Sequence, residues 1–377
     1  MLTHQRHLFD IPDDVAYLNT AYMSPLLTLV VEAMEEGTRL KARPWTLTID
    51  HFFEDVEKAR GLIGTLFNVS STSVSIIPAA SYGLTTAARN LPLKRGESVI
   101  LLKNQFPSHT YPWKQKAREV GAKVIEVDVP LGDAATDHVL AAMDENTAIA
   151  ALPNVLWTNG AYVDLMEVKA RCREVGAALV LDLTQSAGAL QTDLGVIDPD
   201  FAVVANYKWM LGPYSTGFMY VAPQHHDGVP LEEGWITRKG SRNFARLTEN
   251  TGEFEAGAIR YDMGERANFA LMPGVVAALE QIKAWEIAQI EATLSFRNEA
   301  LCKRLNALGL ETTAPENRGA HFIGAKVPEG TRSDLLKQLA ASQVYLSERN
   351  GSLRITPHLW NTEQDFDRLC EALARLL

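Results

Sequence analysis

From about residue 74 to residue 221 the chain alternates short apolar runs with longer stretches of helical period. The runs read VSIIP, SVILL, AKVIEVDV, TAIAALP, AALVLDL, FAVVA and TGFMYVA. Runs of this length bounded by turn residues fit strands buried on both faces. Between several of them lie segments such as SHTYPWKQKAREVG and DLMEVKARCREVG, each closing on a glycine suited to a helix C-terminus. The alternation predicts a mainly parallel sheet covered on both faces by helices. After about residue 260 the pattern changes to two long helical stretches, then HFIGAKV, a helix from about Arg332, VYLSER, SLRIT and a closing helix. That is an α+β arrangement. The expected organisation is an α/β chain with a large domain over residues 15–258, and a smaller domain built from 1–14 and 259–377. No linker rich in Pro, Gly or Ser separates the two, so a shared interface is expected, and there is neither an internal repeat nor a low-complexity tract.

Composition narrows the function classes. A chain of 377 residues, 46% hydrophobic and 22% charged, has the make-up of a globular protein with room for two compact units. The net charge is −10 and no block of consecutive basic residues occurs, which argues against nucleic acid as a partner. No apolar run reaches the length of a membrane span, and the start MLTHQRHLFDIPDD lacks the features of a signal peptide, so no membrane partner and a cytoplasmic location are expected. Cys172, Cys302 and Cys370 fall in helix-patterned segments without CxxC spacing and read as free thiols in a reducing compartment. The adjacent His225 and His226 sit in a polar loop, PQHHDG, where solvated side chains are commoner than metal ligands, and no metal is expected.

In a sheet of this kind ligands bind beyond the carboxyl ends of the strands. The residues just after the apolar runs are Ser81, Phe106, Asn154, Asp182, Gln185 and Lys208. Singly, each has an ordinary explanation: Ser caps helices, an aromatic at a strand end is usually core, and a lone lysine is most often a solvated charge. Together they are harder to set aside. IIPAASYGLTTAA places small residues and Ser81 at a helix start, where free N–H groups favour an anion such as phosphate. Asp182 follows AALVL at the rim of an apolar core and needs a cationic partner, an arginine or a protonated ring nitrogen. Lys208, between FAVVANY and WMLGP, stands among groups that depress its basicity and expose a nucleophilic amine able to form a Schiff base. A phosphate cradle, a ring platform, a carboxylate and such a lysine are the requirements of pyridoxal 5′-phosphate (PLP).

With these residues in view, the chain resembles the class V aminotransferases, whose relatives include cysteine desulfurases, isopenicillin N epimerase-like proteins and kynureninases. The resemblance runs from YLNTAYMSP to LRITPHLWNTEQDFDRL. It implies the PLP-dependent transferase fold of type I and a homodimer with active sites at the interface. It also implies roles: Lys208 as the aldimine lysine, Asp182 as partner of the ring nitrogen, and Gln185 and Asn154 near the ring hydroxyl. By the same resemblance Phe106 is the ring platform, Ala80 and Ser81 form the phosphate loop, and Arg354 grips the substrate α-carboxylate. NYKW and EEGW look more like kynureninase, where the tyrosine beside the lysine contacts the phosphate, which gives that role to Tyr207.

Departures bear on the reaction. Desulfurases carry a cysteine on a loop shortly before the arginine, whereas SERNGSLRI is short and has none, which disfavours a protein-bound persulfide. In RYDMGERANF, which resembles the segment crossing to the partner's phosphate, Glu265 stands where threonine is usual, so it is expected to point elsewhere. The default reading is a PLP-dependent enzyme acting on an amino acid or related amine, with transamination needing nothing beyond the shared machinery. The alternatives are a C–S lyase, a kynureninase-like hydrolase, an epimerase, or a scaffold that has lost its cofactor. A dinucleotide-binding protein is set aside because neither GxGxxG after the first strand nor GxxxxGK[ST] occurs. Tyr22, Met23, Trp157 and the 225–250 loop with Arg238 and Arg242 are the expected determinants of substrate choice, Tyr22 as a substrate contact.

Overall fold

The computed structural model describes residues 1–249 and 252–377; position 250, where the 225–250 loop ends, lies outside them. Strand β1 (Ala16–Tyr17) belongs to the N-terminal segment. All seven apolar runs then form strands: β2 (Val74–Ile77), β3 (Ser98–Leu102), β4 (Lys123–Val127), β5 (Thr147–Pro153), β6 (Ala178–Asp182), β7 (Phe201–Ala205) and β8 (Gly217–Val221). They make one sheet in the order β2-β8-β7-β6-β5-β3-β4, parallel from β7 to β4, with β8 antiparallel to both its neighbours. The chain builds outward from β3 to β4 and then returns beside β3 to run β5, β6, β7 the other way. The carboxyl ends of β3 and β5 therefore flank the crevice where the strand order reverses, the place such sheets offer a ligand.

Alternation along each strand divides the core into two layers. Val99, Leu101, Ile149 and Val203 pack with Leu84 and Ala87 of the helix Ala80–Asn90 and with Trp113 of the helix Pro107–Val120. Ile100, Leu102, Leu152 and Val204 turn the opposite way, toward the helices Glu54–Leu66, Leu165–Val175 and Met272–Trp285. Each fully buried aliphatic side chain in these layers contributes about 1.5–3 kcal/mol. Strands buried on both faces explain why the runs are continuously apolar rather than alternating.

The second unit holds β9 (Glu311–Thr312), β10 (Ile323–Lys326), β11 (Val344–Tyr345), β12 (Ser347–Arg349) and β13 (Ser352–Ile355). β12-β13-β10-β9 form an antiparallel sheet, and β11 pairs in parallel with β1. Its core joins Leu18, Leu301, Ile323, Leu339, Ile355 and Phe366. Two segments cross the division at 15 and 258: β1 packs into this smaller core, and Val275 and Leu279 of the helix Met272–Trp285 pack into the large one. The N-terminal segment is pinned by buried Arg6, whose Nη1 donates to Asp365 Oδ2 at 3.0 Å. Asp365 also closes the capping box with Thr362 at the start of the helix Glu363–Leu376.

Candidate active site

β7 ends at Ala205, and the chain folds back on itself through NYKWMLG. Asn206 closes that turn: its N–H donates to Thr216 O at 3.0 Å, and its carbonyl accepts from Gly212 N–H at 2.9 Å. Trp209, Met210 and Leu211 are buried beneath the turn, which directs Lys208 into a cavity of about 250 Å³. The wall of that cavity is drawn from the ends of several strands: Ala80 and Ser81 after β2, Gln105 and Phe106 after β3, Pro153 and Val155 at β5, Asp182 and Gln185 at β6, and Tyr207 and Lys208 after β7.

Lys208 is 8% exposed. Burial pushes its ammonium down to about 8, helped by the charges of Arg354 and Arg349 and opposed by Asp182. Its Nζ lies 5.7 Å from the Phe106 ring centroid and 5.5 Å from that of Tyr207. Tyr207 in turn packs on Tyr214 at 4.6 Å, and burial raises its phenol to about 12. Asp182 is buried at the end of β6. Burial alone would raise its pKa, yet His109 and Thr184 outweigh that and hold the carboxyl below its usual range. Thr184 N–H donates to Oδ1 at 3.1 Å, and His109 Nδ1 lies 3.4 Å from Oδ2.

His109 was not among the residues singled out from the sequence. It lies one helical turn after Phe106, fully buried, and its Nε2 is 3.0 Å from Ala151 O. Both ring nitrogens face oxygens that accept, of Asp182 and of Ala151. Gln105 was missed too, as was Thr184; one local signal was that each sits within three residues of a strand end.

The structure does not bring every expected residue to the cavity. Asn154 turns away, its Nδ2 donating to Val163 O at 3.2 Å, while its neighbours Pro153 and Val155 face inward. The cause is the two-residue period of extended chain. Gln185 lines the cavity, with both ends of its amide engaged: Nε2 donates to Ala21 O at 3.0 Å, and Oε1 accepts from Trp209 Nε1 at 3.0 Å. Tyr22 stays outside, 54% exposed, and Phe106 is 39% exposed with its ring edge-on to Trp157 at 5.3 Å.

Arg354, in the middle of β13, is buried. Its Nε and Nη2 donate to Ser347 Oγ at 2.9 and 2.8 Å, and its Nη1 to Trp157 O at 2.9 Å. Ser347 Oγ donates onward to Asn19 Oδ1 at 2.8 Å. Burial, then the charge of Arg349, lowers the guanidinium to about 10, so it remains a cation at neutral pH.

The cavity suits an anionic, electron-withdrawing ring compound. The helix Ala80–Asn90 starts with no side-chain cap, leaving its first N–H groups for an external acceptor. Gln105 Nε2 is buried on the same wall without a hydrogen-bond partner. A phosphate suits these donors, a ring nitrogen that carries a proton suits Asp182, and an aldehyde suits Lys208. PLP has all three, and the topology is that of the fold type I enzymes that use it.

Among them, the chain belongs to the class-V aminotransferases, whose family model matches residues 17–363. It is similar to a probable cysteine desulfurase of Methanothermobacter thermautotrophicus, 24% identical over 97% of this chain and 96% of the relative. It is also similar to the kynureninase of Deinococcus radiodurans, 27% identical over 65% of this chain and 61% of the relative. Among solved structures, a C-DES variant with glycine covalently linked to its PLP cofactor superposes with a TM-score of 0.89 at 20% identity, covering the whole of both chains. The cystine C–S lyase C-DES with its reaction product cysteine persulfide gives 0.84 at 20% identity, over 97% of this chain and 98% of that one. At that identity the likeness is one of fold. The chain is thus a PLP-dependent class-V enzyme; the family contains lyases and hydrolases, so membership does not make it a transferase.

Proposed function

We propose that the chain is a PLP-dependent C–S lyase that eliminates sulfur from a β-thio amino acid, in place of the transamination that the shared machinery alone suggests. The observation that carries this reading is a buried lysine of lowered basicity in a cavity that no cysteine lines. Cys172 is buried on the helix Leu165–Val175, its thiol pushed up to about 12 by burial, and Cys302 and Cys370 lie on small-domain helices. Sulfur therefore leaves as a small molecule rather than on a protein thiol. Two comparisons support the choice: a probable cysteine desulfurase matches over nearly the full length, and the fold matches that of a cystine C–S lyase.

When bound, PLP supplies an electron sink for the pair released at the substrate α-carbon. In this reading Arg354 binds the α-carboxylate with its charged donors. Ala80, Ser81 and Tyr207 hold the phosphate, Asp182 keeps a proton on the ring nitrogen, and Phe106 packs on the ring. Lys208 takes the Cα proton, its basicity near neutrality matching that task. The Cβ–S bond breaks with its electron pair leaving on sulfur. With one water the products are pyruvate, ammonia and the thiol or persulfide, which balances the atoms.

The test is to supply cystine and cysteine without a keto-acid acceptor and to measure pyruvate and ammonia. The expected result is both products from wild type, at a rate at least about 10²–10⁴-fold lower in Lys208→Ala. Wild type is also expected to show a visible band that borohydride abolishes and that Lys208→Ala lacks. Amino transfer to an added keto acid with no pyruvate formed would overturn the lyase reading, and alanine released from kynurenine would replace it with a hydrolase.

A further inference from the structure

We propose that Arg349 is the second half of a two-anion substrate site, so that the substrate is an amino acid whose side chain carries a carboxylate or an equivalent anion. The inference rests on the reading of Arg354 as the α-carboxylate ligand and adds the class of side chain.

Arg349 ends β12, where the chain reverses through Asn350 and Gly351, both at positive φ (51° and 77°), the two-residue turn that matches the twist of a hairpin. The register pairs Ser347 with Arg354 and Arg349 with Ser352. Paired residues share a face of an antiparallel ladder, and residues two apart on a strand share one as well. Arg349, Ser347 and Arg354 are therefore on the same face. The two guanidinium carbons lie 5.8 Å (Arg349) and 5.7 Å (Arg354) from the ring centroid of Trp157. Trp157 lines the cavity of Lys208 and meets Phe106 edge-on. One indole thus links both arginines to the wall of the reaction cavity.

The charges at this wall are unbalanced. Among the described residues neither arginine has an ion pair, and Arg349 donates only to the carbonyl of Glu348, from Nη1 at 2.6 Å. The positive charge of Arg349 acts on Lys208 and on Arg354 alike. The carboxylate that acts on Lys208, Asp182, is engaged by His109 and Thr184. Like charges held close at a partly buried wall repel, and the arrangement becomes favourable only when anions arrive. The substrate α-carboxylate answers Arg354; a second anion is needed for Arg349. In a C–S lyase, that anion travels on the sulfur fragment that leaves.

The test uses ligands with neither amine nor sulfur, so that it does not depend on the reaction. Dissociation constants of glutarate and valerate for the PLP-loaded protein are measured by calorimetry; the two differ by a carboxylate in place of a methyl. Wild type is expected to bind glutarate about tenfold more tightly or better, the scale of one added charge-assisted contact. In Arg349→Gln the preference of glutarate over valerate is expected to fall to within about twofold. Equal binding of both ligands by wild type would overturn the proposal, the charge of Arg349 then being answered elsewhere, as by a carboxylate from a second copy. A preference that persists in Arg349→Gln would overturn it too. A glutarate preference with no pyruvate from cystine would leave this site standing and remove only the lyase reading.

Discussion

Arg354 shows how much a functional side chain owes to residues that never touch substrate. Three of its donor contacts go to Ser347 Oγ and Trp157 O, and Ser347 is held in turn by Asn19 from the far end of the chain. A long side chain held this way meets a carboxylate without first losing its rotamer freedom. In Ser347→Ala the guanidinium keeps its charge but loses two of its anchors. KM is expected to rise about tenfold while kcat changes little, since substrate binding is weakened without altering the step at Lys208. Steady-state kinetics on the substrate that yields pyruvate would check this, and a fall in kcat at constant KM would contradict it. The place of Lys208 and Asp182 at the cavity was legible in the sequence because Asp182 ends one continuous apolar strand and Lys208 closely follows another. Asn154 was misread because a strand end tells that a residue is near the crevice but not which way the pleat turns it.

The cavity depends on elements meeting closely where they cross. Gly188 follows the segment that carries Asp182 and Gln185, at φ +90°, and a Cβ there would lie 2.5 Å from the carbonyl oxygen of Trp209. That contact sets Trp209 against Gln185, whose amide it donates to. Gly188→Ala is expected to destabilise the protein by at least about 1–2 kcal/mol from the backbone term alone, and by more from the clash. Urea unfolding would show a lower midpoint at unchanged slope, and an unchanged midpoint would contradict the expectation. Element boundaries were readable where glycine or proline punctuates the chain, as at Gly121 and Gly176, which close helices in the left-handed region. The short strand β1 was not readable, because two residues carry no periodicity and its pairing with β11 is a tertiary event; the single run VYLSER divides into β11 and β12.

Two buried histidines affect the molecule as a whole. His321 Nε2 donates to Gln185 O at 2.6 Å and stands edge-on to Trp209, while His358 stacks on Trp360 with neither ring nitrogen paired. Burial lowers both from 6.5 to about 3; at His321 the Gln185 carbonyl opposes this and the charge of Arg318 adds to it, and at His358 His321 and Arg297 add to it. The folded protein therefore holds them neutral where the unfolded chain binds protons. Stability is expected to fall as pH drops from 6.5 toward 3, by up to about 1.4 kcal/mol per pH unit for each histidine. Chemical unfolding at pH 7, 6, 5 and 4 on wild type and on His358→Phe would test this; equal slopes in the two proteins would rule the contribution out. Among the described residues no helix is long and apolar enough to cross a membrane, and no group of three or more His, Cys, Asp or Glu could hold a metal ion.

By itself, the sequence determined the succession of buried strands and helices, and through it the parallel sheet whose carboxyl edge carries Asp182, Lys208 and Phe106. These are local properties, because hydrophobic period and turn chemistry act within a few residues of chain. Only the tertiary structure decided that His109 stands behind Asp182 and that Asn154 faces away. It alone seated Ser347 and Asn19 beneath Arg354, and brought Arg349 and Arg354 to one indole. Those contacts join residues up to 328 positions apart. Their geometry follows from strand register and from how the two larger sheets and their helices pack, which no local pattern specifies.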